Sequence, residues 1–103
     1  MYKTIEAECI LANLLHKYQQ IRIRDLNRAR AEIEKAVSSV YVDVTKNSLI
    51  RAVNRRPEMF EWEDHVFRRR KEWPAAEVEE SFNWQIPANI RQKVLQVLDN
   101  ITV

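Results

Sequence analysis

VTKNSLIRAVNRRPEMFEWEDHVFRRRK, running from Val44 to Lys71, is the stretch whose reading decides the fold. Thr45 is a residue type that caps helices, and the apolar residues behind it, Leu49, Ile50 and Val53, recur at the spacing of one helical face. Asn47, Arg51, Asn54 and Arg55 fall on the opposite face, and Pro57 ends the helix. Two short aromatic runs follow, Met59-Phe60-Glu61-Trp62 and Val66-Phe67-Arg68-Arg69-Arg70, separated by the polar turn Glu63-Asp64-His65. Such a pair predicts a hairpin. A basic helix followed at once by a basic hairpin is therefore the centre of the chain.

Upstream, Ile5, Cys9, Ala12, Leu15 and Leu11, Leu14, Tyr18 form a broad helical stripe between Lys3 and Tyr18. Ile10 widens it so far that two surfaces must cover this first helix, one of them the tail or a second copy of the chain. Ile21-Arg22-Ile23-Arg24 alternates as a short edge strand does. Asp25 then offers an N-cap to a second helix carrying Leu26, Ala29, Ile33, Ala36 and Val37 and ending near Ser38-Ser39. Val40 to Val44 alternates as well, and reads either as a linker or as a strand.

Downstream, Pro74 is placed to open a short acidic helix over Ala75 to Phe82. Asn83 to Pro87 reads as irregular. Pro87 is then expected at the first position of a last helix striped by Ile90, Val94, Val97, Leu98 and Ile101. That helix either completes the core against the first helix or pairs with its counterpart across a dimer axis.

Helix, short strand, helix, connection, helix and two-stranded hairpin is an order that resembles the winged-helix superfamily of DNA-binding domains, over about residues 2 to 73. The resemblance implies an α+β, mostly helical fold: a three-helix winged helix-turn-helix over 1–73 with a C-terminal helical extension over 74–103, packed on the core or forming a dimer interface. It implies double-stranded DNA as partner, with the third helix in the major groove, and a homodimer through the first and last helices as one arrangement. The Val40 to Val44 connection departs from the pattern, being longer than the usual three- or four-residue turn.

Composition narrows the function. At 103 residues one domain is expected, with roughly 60 to 65% of the unfolded surface buried. The single cysteine, Cys9, has no partner for an internal disulfide, which suits a reducing cytoplasmic setting. No run approaches about 18 apolar residues, and the acid-bearing N-terminus is unlike a signal peptide, so no membrane partner is expected. Glycine is absent, which argues against phosphate-cradling loops and the dinucleotide fingerprint. The net charge of +2 is unevenly spread: residues 46–71 carry +4, residues 72–103 carry −3. A polyanion-facing middle follows from that separation.

On this reading Arg51, Asn47, Asn54 and Arg55 meet base edges, because a guanidinium fork matches guanine and an amide matches adenine. Lys46, Arg56, Arg68, Arg70 and Lys71 meet phosphates. Each has a plainer explanation. The helix face is also what a solvated amphipathic helix looks like, and Arg68 to Lys71 is also what a charged edge strand looks like. The aromatic residues Phe60, Trp62, Phe67, Trp73, Phe82 and Trp84 read as core in preference to a base-stacking platform. Glu61, Glu63, Asp64 and His65 are the one dense acid-base cluster, and they read better as a polar turn than as a metal site. Cys9 and His16 are too few for zinc, and His16 suits a helix C-terminus.

The expectation is a DNA-binding transcriptional regulator or accessory factor, not an enzyme, with no cofactor and no metal. A protein-interaction module on the same scaffold is the alternative, and a metal-dependent nuclease built on the acidic turn is a third.

Overall fold

The computed structural model describes residues 4–38, 40–74, 76–78 and 86–101. Its elements run β1 (Thr4–Glu6), α1 (Ala7–Lys17), β2 (Gln20–Arg22), α2 (Ile23–Ala36), β3 (Tyr41–Asp43), α3 (Lys46–Arg55), β4 (Phe60–Glu63), β5 (Val66–Arg69) and α4 (Ala88–Asn100). The class is α+β. A helical turn at 76–78 stands where the acidic helix was expected, and the rest of that stretch, with Phe82 and Trp84, lies outside the described residues. No described helix is long and apolar enough to cross a membrane.

Two small sheets organise the chain. β2, β5 and β4 form an antiparallel sheet in that order, with Ile21 opposite Phe67 and Phe67 opposite Trp62. Ile21 and Phe67 are buried and Trp62 is half-buried, so this face of the sheet closes the core. β1 and β3 pair in parallel, with Ile5 opposite Val42, both buried, and Glu6 opposite Asp43. The alternating Val40 to Val44 stretch is thus a strand.

Three expected boundaries need correction. The first helix does not start at Lys3, because Thr4 to Glu6 are drawn into extended backbone by pairing with β3. Ile23 and Arg24 belong to α2, whose N-cap is Arg22 and not Asp25; the β2 ladder ends at Arg22, opposite Val66. Pro87 is the N-cap of α4, one position before its expected place.

α1 is the centre of the molecule. Ala7 to Ala12, Leu14 and Leu15 are all buried, which no amphipathic surface helix would show. α4 supplies much of the cover, packing chiefly on α2 and also on α1 through buried Val94 and Leu98. Its end is clasped to the end of α1: Lys17 Nζ donates to the Asp99 carbonyl at 2.6 Å and the Tyr18 hydroxyl to the Ile101 carbonyl at 2.6 Å. Trp73, buried edge-on against Phe60 with centroids 5.8 Å apart, leads the chain from the hairpin over α1. Its carbonyl accepts from His16 Nδ1 at 2.9 Å, which puts the proton on that nitrogen.

The broad stripe of α1 is therefore covered within the chain, and the described α1 retains no apolar face for a second copy. α4 faces outward with Asn89, Gln92, Lys93, Gln96 and Asp99, all exposed and all polar. The last helix thus completes the core against the first and second helices.

Candidate nucleic-acid interface

The geometry of α3 is set at its first turn. Thr45 Oγ1 accepts from the Ser48 amide at 3.1 Å, and Ser48 Oγ accepts from the Thr45 amide at 2.7 Å, a reciprocal capping box made with serine in place of the usual acid. The single Ser48 hydroxyl proton has the Thr45 carbonyl at 2.8 Å and the Asp43 carbonyl of β3 at 3.3 Å within reach. Ser48, Leu49, Ala52 and Val53 are buried against α1 and β4. The opposite face is left to solvent.

That face is the one expected from the sequence. Lys46, Asn47, Arg51, Asn54 and Arg55 are exposed, and Ile50 and Arg56 are half-buried. An open groove of about 620 Å³ runs along one side of it, lined by Arg51, Asn54, Arg55 and Ser48 from α3, by Thr4, Glu6 and Asp43 from the β1–β3 pair and by Ala7 at the start of α1. The groove is of mixed charge. The parallel register sets the Glu6 and Asp43 positions side by side on its far wall. On the opposite flank Lys46 Nζ sits 5.8 Å from the centroid of the Trp62 ring, which stacks on Phe67 at 5.2 Å and meets His65 edge-on at 5.7 Å.

The hairpin cations are differently employed. Arg68 Nε donates to Gln20 Oε1 at 3.0 Å, and Glu61 lies opposite Arg68 in the ladder. Arg70 donates to the Phe60 carbonyl at 3.3 Å and has Glu61 at 3.9 Å. Arg69, which alternation sends to the core face, reaches the end of α1, where Nη1 donates to the Leu15 and His16 carbonyls, both at 3.2 Å. It thereby caps orphan carbonyls at the negative end of the helix dipole. Lys71 is exposed. The structure thus gathers Lys46, Asn47, Arg51, Asn54 and Arg55 on one helix, and it gives Arg68 and Arg70 partners within the chain.

Sequence reasoning left out three acids beside α3. Glu6 and Asp43 enter through a strand pairing that three-residue runs do not announce. Glu8 is buried in α1 and its Oε1 lies 3.0 Å from Arg55 Nε, an ion pair without the alignment of a regular hydrogen bond. Its place among apolar neighbours in the α1 stripe was the available signal, since a carboxylate is seldom buried without a cation.

The acidic turn and Cys9 are the other two candidates. Among the described residues no group of three His, Cys, Asp or Glu is placed to hold a metal ion. Cys9 is buried, and burial, with Glu6 and Glu8 adding to it, pushes its thiol from 9.0 up to about 12, far from a reactive thiolate. No family model, no curated protein and no solved structure matches the chain.

Proposed function

We propose that the chain is a winged-helix-type domain that binds double-stranded DNA through α3, as a regulator or accessory factor, with no step of turnover. The observation that carries the reading is the outward face of α3: Lys46, Asn47, Arg51, Asn54 and Arg55 exposed together, without one acid among them, on a helix whose opposite face is locked into the core. The order of elements and the sheet order β2-β5-β4, with the hairpin beside the strand that follows α1, support the scaffold. Arg51 and the two asparagines are the proposed base readers; Lys46, Arg55 and Arg56 meet phosphate, and Lys71 extends that contact beyond the hairpin. Arg68 and Arg70 contribute less, because phosphate must compete with Gln20 and Glu61 for them.

Protein recognition is the second reading. The observation favouring it is that same occupied hairpin, whose tip adds the exposed acids Glu63 and Asp64.

Fluorescence anisotropy with a labelled random-sequence duplex separates the two. Micromolar binding that falls tenfold or more between about 50 and 200 mM salt, and about fivefold in Arg51→Ala, is expected. Absence of binding at the lower salt would reject the DNA reading in favour of a protein partner.

A further inference from the structure

Arg55 was expected at a base edge, yet its guanidinium is approached from inside the protein. Glu8, on α1, has a side chain only 11% exposed, and its Oε1 lies 3.0 Å from Arg55 Nε, while the Arg55 side chain remains 59% exposed. The arrangement is one-sided. The contact uses the nitrogen nearest the stem, and Arg55 is at the same time a wall of the groove beside Arg51 and Asn54. A guanidinium presents five N–H donors in a fixed plane, and an acid nearest its Nε leaves the two terminal nitrogens, which carry four of those donors, for another anion.

We infer that Glu8 is a positioning residue for phosphate: its ion pair on the Nε side anchors the Arg55 side chain so that the two terminal nitrogens stand ready for one phosphate at the edge of the α3 groove. This rests on the DNA reading of α3. The physical advantage is preorganisation. A free arginine loses rotamer freedom when it grips a phosphate, whereas one already held by a buried carboxylate loses less. The carboxylate also gains from the partnership, because a buried charge is costly without a cation beside it. Arg51 has no such support among the described contacts and is left free to adjust to a base, so the two arginines of the groove divide fixed phosphate grip from base readout.

The sign of one substitution tests this. Glu8→Gln removes a negative charge near the DNA face, and Coulomb's law alone predicts tighter binding. Positioning predicts the reverse: duplex affinity about threefold or more weaker than wild type in Glu8→Gln, a similar or larger loss in Arg55→Ala, and no further loss when the two are combined, because both act on one contact. Arg55→Lys, which keeps the charge and loses the fork, is expected to bind more weakly than wild type, and it serves as a second variant should Glu8→Gln fold poorly by thermal denaturation. Glu8→Gln binding as tightly as wild type or tighter, or Arg55→Lys matching wild type, would overturn the inference while leaving DNA binding intact. A wild-type protein that binds no duplex at low salt would overturn both.

Discussion

α3 and the β4–β5 hairpin carry similar densities of arginine, and they use them in opposite ways. On α3 the cations ride on the face turned away from the core, and Arg55 is tied to an acid, Glu8. On the hairpin Arg68, Arg69 and Arg70 each donate to a group of this chain: the Gln20 side chain, the end of α1, and the Phe60 carbonyl. A run of charge in a sequence gives the number of cations. Which of them can meet a polyanion is decided by the strands and helices they are folded against.

The hairpin is part of the core, and breaking it tests the contrast most severely. Phe67 is fully buried, stacked on Trp62 and paired with Ile21 across the sheet. Phe67→Ala is expected to cost about 3–5 kcal/mol, lowering the thermal midpoint by more than about 12 °C if the domain still folds. A midpoint within a few degrees of wild type would mean that the hairpin hangs off the domain as an appendage.

A contrast of two arginines comes next in size. Arg69 has a side chain only 16% exposed and supplies charge-assisted hydrogen bonds to two carbonyls at the end of α1. Arg69→Ala is expected to destabilise the fold by about 1–2 kcal/mol, since those bonds sit at the edge of the core and water partly replaces them. Arg51→Ala, on the exposed α3 face, is expected to change stability by less than about 0.5 kcal/mol while weakening duplex binding. Urea denaturation of both variants decides the matter, and equal stability losses would erase the distinction between the two regions.

The sequence was informative where a signal is local and periodic. α3 was legible from Thr45 to Arg55, because cap, stripe and proline stop all lie within a dozen residues, and the structure adds only that Ser48 completes the cap. The hairpin was legible for the same reason, two aromatic runs flanking three polar residues. β1 was not, since Thr4-Ile5-Glu6 is too short to show alternation and its partner β3 lies two helices away in the chain. The start of α2 was misplaced because Ile21-Arg22-Ile23-Arg24 alternates throughout, although pairing with β5 lasts only to Arg22. Glu8 and Gln20 illustrate the limit for sites: the cations Arg55 and Arg68 were visible, but the partners that hold them come from the first fifth of the chain, and only tertiary packing joins them.

The smallest effect concerns the hairpin tip. Asp64 and His65 have φ of 51° and 62°, both in the left-handed region, in a two-residue turn that favours Asn-Gly. A chain without glycine meets this demand with residues whose Cβ resists it, although Asp and His tolerate it better than most. Asp64→Asn with His65→Gly should stabilise the domain by about 0.5–1 kcal/mol, the relief of strain being offset in part by the greater freedom of glycine when unfolded. The His65 carbonyl accepts from the Ile23 amide at 2.9 Å, so the tip is tied to the start of α2 and does not project beyond the sheet. A structural tip of this kind should show the gain in thermal midpoint with duplex affinity unchanged. If the stabilised variant instead bound duplex less well, the His65 side chain, edge-on to Trp62 beside Lys46, would belong to the interface, and the line between the two regions would have to be redrawn through the hairpin itself.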